Sequence, residues 1–538
     1  MQGREWWRGA TIYQVYLPSF FDGNDDGTGD LPGLLARLSH IADLGVDAIW
    51  ISPFYRSPQH DFGYDVADYG AVDPLFGTDE DFDRVVARAH QLGLRVLIDQ
   101  VWSHTSSEHA WFQESRSSRD NPKAGWYVWA DARPDGSPPN NWLSVFGGSA
   151  WRWDPVRRQY YLHHFLLSQP KLNLRENAVL AEHFATAEYW LGRGVDGFRF
   201  DAVDFMMHDP DLRDNPEAGV APAQAPVNPF RMQQHPYDMS HADTNRLMTG
   251  IRWFMNRFPD TTTIGELSSE PGASQRVAAM TGGTRLHMAY TLGVAKSTFG
   301  AAGFRQMLSE AIDLNHDGWP CWSFSNHDVA RVASRWNPTG VEAAAFAVLQ
   351  MALLLCLPGS ACLFQGEELG LPNAEIPRER MRDPFGLRFY PAYLGRDGAR
   401  TPIPWTAGAP NLGFSRAAET WLPAAPTHDR LAVDLQQRDP TSTLAAYRSM
   451  LAWRKRHLAS IAGDVTLLPV PDPLLAFQRG SGAEAIVAIF NLAAEAVEIP
   501  IADLPKFRVV TDLAFVTRPK GATLALPPYG VTLGIAAG

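Results

Sequence analysis

Cysteine is scarce in this chain, with only Cys321, Cys356 and Cys362 among 538 residues. So few cysteines make no disulfide framework, and no two of them are spaced as a CxxC pair. All three lie in apolar runs, so we expect reduced residues in the core. The chain also lacks an excess of basic residues, with 47 Lys and Arg against 59 Asp and Glu. We therefore expect neither nucleic acid nor a membrane as a partner.

Long hydrophobic runs are missing as well. The longest, from 343 to 357, contains Gln350 and is too short for a membrane span of about 20 residues. The segment MQGREWWRGA has no apolar stretch of the kind that a secretory signal requires. A hydrophobic share of 45% and a charged share of 20% are ordinary for a globular protein. We expect a cytoplasmic protein, either a monomer or a homodimer.

Short apolar runs alternate with amphipathic stretches along most of the chain, and this alternation predicts a (β/α)8 TIM barrel. Helix signals separate most of the runs; the first helix, 31–44, has Asp30 as N-cap and Gly45 at its end. The eight predicted strands cover residues 11–16, 48–52, 95–101, 197–201, 261–265, 287–292, 322–325 and 361–364.

Two long connections and a change of pattern define the remaining parts. Residues 103–171, after strand three, are too long for a simple loop and predict a small inserted domain. Residues 366–440, after strand eight, form a second excursion. The alternating runs near the C-terminus predict an antiparallel β domain. The predicted domains are the barrel (1–102 and 172–465), the insert (103–171) and the C-terminal β domain (466–538).

Three carboxylates stand at the ends of three predicted strands. Asp201 ends GVDGFRFD, Glu266 ends TTTIGE, and Asp328 follows strand seven in SFSNHD. Only a fold can bring together residues that are more than 60 positions apart. A barrel does so, because the C-terminal ends of its strands meet at one mouth.

In the sequence motifs around these carboxylates and elsewhere, the chain resembles glycoside hydrolase family 13, the α-amylase family, and within it the α-glucosidase branch. The resemblance covers nearly the whole chain, in the order of the family's motifs. It is carried by WWRGATIYQVYLPSF, GDLPGL, ISPFYRSP, DFGYDVADY, DQVWSHTS, GVDGFRFDAVDF, IGEL, SNHD, LFQGEELG and GRDGARTPIPW.

The resemblance implies a retaining mechanism with Asp201 as nucleophile, Glu266 as general acid/base and Asp328 as transition-state stabiliser. The chemistry requires Glu266 to hold its proton near neutral pH, so burial and nearby negative charge must raise its pKa. Asp201 must be ionised. Arg199, two residues earlier on the same face of the strand, is suited to hold it in that form.

The resemblance also implies residues that bind the sugar. Asp61 and Arg400 would form an ion pair that grips the 4-OH of the terminal glucose and closes the pocket, which makes the enzyme exo-acting. Tyr64 would stack on the same glucose. His104 and His327, both in family motifs, would donate hydrogen bonds to its hydroxyl groups.

Ala202, directly after the nucleophile, bears on linkage. In the resembling enzymes that prefer α-1,4 linkages this position is small, whereas α-1,6 enzymes carry valine. A valine methyl group would crowd one linkage geometry. Ala202 therefore predicts a preference for α-1,4 linkages, with sucrose as a further candidate substrate.

One metal motif is present near the N-terminus. The run DGNDDGTGD places oxygen ligands at alternate positions of a loop like that of an EF-hand, although the final Glu is missing. We expect a structural Ca2+ or Mg2+ ion there, and no organic cofactor. The expected ligands are Asp22, Asn24, Asp26, Thr28 (by its carbonyl) and Asp30.

The predicted activity is that of a retaining exo-α-glucosidase. It would release terminal α-1,4-linked glucose from short oligosaccharides and transfer some of it to acceptor hydroxyl groups. A transglucosidase or isomerase of the same family that converts sucrose or trehalose is the alternative. A barrel enzyme for phosphorylated sugars would need a basic cluster, and a non-catalytic transporter partner would lack these carboxylates.

Overall fold

Eight parallel strands form the central sheet of the computed structural model. The structure describes residues 5–221, 225–268, 272–295, 297–314, 318–337, 339–461 and 463–537. In chain order the strands are Thr11–Val15, Ala48–Ile51, Arg95–Gln100, Gly197–Phe200, Thr262–Leu267, Met288–Thr291, Cys321–Ser323 and Ser360–Phe364. All eight predicted strands are present, and the predicted and observed ends differ by two residues at most.

The strands follow the order six, five, four, three, two, one, eight, seven around the barrel. A single parallel bridge between Ala289 and Pro320 joins strands six and seven, so the barrel is nearly closed. Most strand residues are fully buried because layers of branched and aromatic side chains fill the interior. The predicted barrel is confirmed.

Helices surround the barrel and pair with its strands. The eight outer helices are Leu31–Leu44, Asp79–Gln91, Asn177–Gly192, Asp243–Met255, Ala273–Thr281, Ala301–Leu314, Ala343–Cys356 and Thr443–Arg456. The first begins where Asp30 accepts a hydrogen bond from Gly33 N and ends at Gly45, whose φ of 88° favours glycine. Sequence reasoning missed Ala273–Thr281, which is short and whose large apolar side chains are Val277 and Met280 alone.

The inserted segment and the C-terminal part each form small sheets. Within 103–171 lie the helix Ala110–Ser117 and the strands Trp129–Ala130, Trp151–Asp154 and Gln159–Leu162. The C-terminal sheets contain Val465–Leu467, Leu474–Arg479, Ile486–Asn491, Val497–Pro500, Phe507–Val509, Thr523–Leu526 and Val531–Ala536. The first of these strands begins at 465, one residue before the predicted boundary. The antiparallel C-terminal domain is confirmed.

Short helices occupy the connections, namely Leu292–Ala295, Val332–Arg335, Pro384–Phe389, Val433–Arg438 and Leu458–Ile461. The three cysteines are free and buried, as expected. Among the helices of the described residues, none is both long enough and apolar enough to cross a membrane.

Candidate active site

The three predicted carboxylates meet at the mouth of the barrel. Asp201 directly follows strand four, Glu266 lies near the end of strand five, and Asp328 lies in the loop after strand seven. All three line one cavity of about 480 Å³. The mouth lies at the C-terminal ends of the strands, where barrel enzymes place their chemistry.

Arg199 contacts two of these carboxylates, Asp201 and Glu266, and also the buried carboxylate of Asp99. Its guanidinium is fully buried, and Nη1 donates to Asp201 Oδ1 at 2.7 Å and to Asp99 Oδ1 at 2.6 Å. Nη2 lies 2.7 Å from Glu266 Oε2. The expected contact between Arg199 and Asp201 is present, and the same cation also fixes Glu266 beside it.

Tyr290, on strand six, completes the surroundings of Glu266. Its hydroxyl accepts from Arg199 Nη2 at 2.8 Å and donates to Glu266 Oε1 at 3.1 Å. Burial raises the pKa of Tyr290 well above its usual range, so the phenol keeps its proton as a donor. Sequence reasoning missed this residue because it lies within an apolar strand and belongs to no polar motif.

Burial separates the protonation states of the two central carboxyls. It raises the pKa of Glu266 to about 8; Arg199 opposes the shift, and the charges of Asp201 and Asp328 add to it. It raises the pKa of Asp201 to about 7, again against Arg199. As the pH rises, Asp201 therefore loses its proton before Glu266 does. This is the order that a nucleophile and a general acid require.

Asp328 is held in its ionised form. Burial would raise its pKa, but the neighbouring His327, Arg396 and Arg400 outweigh burial and hold the pKa well below its usual range. Arg396 Nη1 donates to Asp328 Oδ1 at 2.9 Å, and Arg400 Nη2 donates to the same oxygen at 3.1 Å. A carboxylate fixed in this way can accept hydrogen bonds from sugar hydroxyl groups.

The predicted ion pair between Asp61 and Arg400 is wrong in its second member. Asp61 Oδ1 accepts instead from Arg396 Nη2 at 2.9 Å. Arg400 cannot serve Asp61 because its guanidinium already donates to the His327 carbonyl at 2.7 Å and to Asp328. Arg400 is buried behind Asp328, and it is not among the described residues that line the cavity. Arg396, four residues earlier in the same loop, forms the ion pair with Asp61 instead.

Gln169 connects Asp61 to His104, and sequence reasoning missed it. Its Nε2 donates to Asp61 Oδ2 at 3.1 Å and lies 3.2 Å from His104 Nε2. His104 Nε2 also lies 3.0 Å from the carbonyl oxygen of Tyr64. Burial lowers the pKa of His104 to about 3, so its ring is neutral. The inserted segment thus holds one wall of the cavity in place.

Tyr64 and His327 form a stacked pair in the wall of the cavity. Their ring centroids are 5.1 Å apart and the planes differ by 8°. Tyr64 donates its hydroxyl proton to Asp99 Oδ2 at 3.1 Å. Gln14 Nε2 contacts His327 Nδ1 at 2.8 Å, and His327 Nε2 faces Asp328 at 3.4 Å. Both rings line the cavity, where a glucose ring would contact them.

Ala202 lies between the two central carboxyls. Its backbone N–H donates to Glu266 Oε2 at 3.2 Å, and its own φ is 42°. Such a left-handed conformation is uncommon for a residue with a Cβ atom. The strain places this N–H toward Glu266 and the Cβ atom at the cavity wall.

A large part of the cavity wall is aromatic. Phe146 and Phe165, both from the inserted segment, line it. Part of this wall comes from the long connection between strand four and the helix Asp243–Met255, which sequence reasoning did not recognise as part of the site. The other aromatic residues of the wall are Phe205, Phe230, Phe385, Phe389 and Tyr393.

The predicted metal loop is compact and internally bonded. Asp22 Oδ1 accepts from Asn24 N and Asp25 N, Asp26 Oδ1 accepts from Thr28 N, and Asp30 Oδ1 accepts from Gly33 N. In the part of the chain that the structure describes, no three His, Cys, Asp or Glu side chains converge as metal ligands. One oxygen, Asp30 Oδ2, is buried with no hydrogen-bond partner.

Comparison with known proteins shows the family of the chain. Residues 14–463 match the family described as α-amylase, catalytic domain. A probable α-glucosidase of Rhizobium meliloti (strain 1021) is 47% identical over 98% of this chain and 96% of its own length. An oligo-1,6-glucosidase of Heyndrickxia coagulans is 35% identical over 91% of this chain and 92% of its own.

Solved structures extend the similarity to the whole architecture. The crystal structure of the α-glucosyl transfer enzyme XgtA has a TM-score of 0.95 and 46% identity, and the match covers 99% of this chain and all of that one. Together with the carboxylates at the mouth of the barrel, these matches show that the chain is an enzyme of the α-amylase family and belongs to its α-glucosidase branch.

Proposed function

We propose that the protein is a retaining exo-α-glucosidase. It releases terminal α-1,4-linked glucose from maltose-like oligosaccharides, with sucrose as a candidate substrate, and also transfers glucose to acceptor hydroxyl groups. The observation that carries the proposal is the pairing of Asp201 and Glu266 on one guanidinium. Retaining enzymes need carboxyls about 5–5.5 Å apart, whereas inverting enzymes leave room for a water at about 6.5–9.5 Å.

The reaction then takes two steps. Asp201 attacks the anomeric carbon while the bond to the leaving oxygen breaks and Glu266 gives that oxygen its proton. A water or an acceptor hydroxyl group next attacks the anomeric carbon, Glu266 takes its proton, and Asp201 leaves as carboxylate. Asp328 and His327 bind hydroxyl groups of the distorted ring, and these contacts strengthen toward the transition state.

The ion pair in the cavity wall supports the exo mode. Asp61 and Arg396 line the cavity and bond to each other, and the buried Gln169 holds Asp61 in place. An Arg–carboxylate pair is well suited to grip the terminal hydroxyl groups. The aromatic part of the cavity wall supports transfer, because aromatic side chains can pack against an acceptor and exclude water from the glucosyl-enzyme.

A product time course tests the proposal directly. Proton NMR of the enzyme with maltose, isomaltose, sucrose and trehalose is expected to show early release of α-glucose from maltose. Asp201→Asn should lower turnover by several orders of magnitude while the protein stays folded, because the nucleophile is lost. Isomerised sucrose or trehalose without free glucose would favour the alternative activity. Inverted β-glucose as first product would contradict the retaining mechanism.

The pH dependence should follow the two central carboxyls. For maltose, kcat/KM should rise as Asp201 ionises near pH 7 and fall as Glu266 loses its proton near pH 8. The variant Glu266→Gln with α-glucosyl fluoride, whose leaving group needs no proton, should keep the acid limb and lose the alkaline limb. An unchanged alkaline limb in this variant would assign that limb to another group.

The linkage preference is tested at Ala202. Ala202→Val should lower the ratio of kcat/KM for maltose over isomaltose, because the added methyl groups crowd the α-1,4 geometry. A β-branched residue at this φ is strained, and that strain of about 1–2 kcal/mol would affect both substrates alike. Ala202→Ser, which adds neither of the methyl groups that crowd the α-1,4 geometry, is the control and should keep the maltose preference. The same ratio in Ala202→Val and in wild type would refute the linkage argument.

We also propose that the loop 22–30 binds Ca2+ or Mg2+ as a structural ion. The buried, unpartnered Asp30 Oδ2 supports this, as does the pKa of Asp30, which burial raises to about 6 with help from Asp22 and Asp26. Asn24 and the Thr28 carbonyl would supply the neutral ligands. The ion would neutralise the carboxylates and hold the loop against the following helix.

Thermal unfolding after chelation and metal addition tests this ion. Saturating Ca2+ or Mg2+ should raise the midpoint, with a stabilisation of about 2.7 kcal/mol at a hundredfold excess over Kd. Asp30→Asn, which can still cap the helix, should remove the response. Asp25→Asn is the control, because Asp25 pairs with Arg416 instead. A full response in Asp30→Asn would exclude this loop as the site.

For the setting of the enzyme we propose the cytoplasm, and a monomer or homodimer. Three free, buried cysteines are compatible with a reducing compartment.

A further inference from the structure

Asp383 is a fully buried carboxylate beside the cavity, and the mechanism above does not use it. Its Oδ1 accepts from Arg396 Nε at 3.1 Å and from Nη2 at 2.8 Å. Its Oδ2 accepts from the backbone N–H of Arg396 at 2.7 Å. Three of its hydrogen bonds therefore fix a single residue, from the backbone to the tip of the side chain.

Arg396 carries this constraint to the sugar side of the cavity. Its Nη2 also reaches Asp61, and its Nη1 reaches Asp328, each at 2.9 Å. An arginine side chain has several rotatable bonds and loses about 2 kcal/mol of rotamer entropy when it is fixed. The contact with Asp383 fixes those bonds before any substrate arrives.

The same carboxylate also reaches the aromatic side. Asp383 Oδ1 accepts from Phe385 N at 3.1 Å, which caps the short helix Pro384–Phe389. Phe385 and Phe389 line the cavity, and the Phe385 ring packs against Phe146 at 5.3 Å. One side chain thus contacts both the charged group that faces the glucose and the start of the helix that faces the acceptor.

We propose that Asp383 is a positioning residue for catalysis, which acts by fixing the Arg396 guanidinium against Asp61 and Asp328. This rests on the proposed α-glucosidase function. Without Asp383, Arg396 would adopt other rotamers, and Asp61 and Asp328 would lose a fixed donor. The glucose site would then be present but less well ordered, and such misplacement reduces both binding and turnover.

Asp383→Asn is the decisive variant because asparagine keeps the size and caps a helix as well as aspartate does. Whichever way the asparagine amide is turned, its NH2 group faces an N–H group of Arg396. Both groups are donors, so a hydrogen bond to Arg396 is lost. We expect kcat/KM for α-glucosyl fluoride to fall about ten- to a hundredfold, with a higher KM and a lower kcat. A variant with wild-type constants would overturn the proposal.

Two glucosyl donors distinguish an effect on the glucose side of the cavity from an effect on its aromatic side. α-Glucosyl fluoride has no aglycone ring, whereas 4-nitrophenyl α-glucoside has one that contacts the aromatic wall. If Asp383 acts through Arg396, kcat/KM of Asp383→Asn falls to a similar extent with both glucosyl donors. A loss confined to the nitrophenyl donor would mean that Asp383 only holds the helix Pro384–Phe389, and the proposed role would be wrong.

A double-variant cycle tests whether Arg396 carries the effect. In an Arg396→Lys background, Asp383→Asn should cause little further loss, because the fork geometry that Asp383 fixes is already gone. Fully additive losses would overturn the proposal. Should Asp383→Asn fail to fold, Asp383→Ser replaces it, since serine caps a helix start but is too short to hold the guanidinium.

Asp196→Asn is the matched structural control. Asp196 is also buried and accepts from an arginine, Arg95 Nη1 at 2.7 Å, but it precedes strand four at the end of the barrel opposite the mouth. This variant should lower the unfolding midpoint and leave KM and kcat unchanged at 25 °C. If the wild type itself cleaves no α-glucoside, the proposed function is wrong. If the wild type is active and the Asp383 variants have the same KM and kcat, the proposed function stands and the present inference is wrong.

Discussion

The buried Arg199 guanidinium is the contact on which the catalytic centre depends. It faces three carboxylates, Asp99, Asp201 and Glu266, with contacts of 2.6–2.7 Å. Four buried charges with a net charge of −2 would be costly in a medium of low dielectric constant. Retaining a proton on one carboxyl reduces that cost, and the raised pKa of Glu266 identifies it as the group that keeps the proton. The general acid is therefore defined by charge balance as much as by position.

A second cluster has a different balance and a different result. Arg396 and Arg400 supply two cations to Asp61, Asp328 and Asp383, so the negative charge is nearly neutralised. No proton needs to be retained at Asp328, whose pKa is held well below its usual range. Both clusters border the same cavity. In the proposed mechanism the first supplies a proton donor and a nucleophile, and the second supplies a permanent acceptor for hydroxyl groups.

Local patterns in the sequence were sufficient for the barrel and for the meeting of the three carboxylates. Apolar runs of strand length and the cap at Asp30 depend on neighbours in the chain, so they can be read without the fold. The partner of Asp61 cannot be read in this way. Arg396 and Arg400 lie in one loop, have the same chemistry, and differ only in which direction the folded loop points them. Tyr290 and Gln169 gain their roles from residues far from them in the sequence: Tyr290 contacts Glu266 on the neighbouring strand, and Gln169 contacts Asp61 and His104. No local signal marks either residue.

Backbone strain is also present at two positions next to residues of the site. Ala202 next to Asp201, and Phe62 next to Asp61, both have positive φ values although they are not glycine. Residues of this kind persist only where the surrounding structure holds them, at a cost of about 1–3 kcal/mol each. At Ala202 the conformation directs the backbone N–H to Glu266 Oε2, which no relaxed extended strand would do. Glycine would relieve the strain but would loosen the segment that carries Asp201. An alanine here keeps that carboxylate fixed while leaving space for the sugar, so the departure from ordinary backbone geometry is itself part of how the site is ordered.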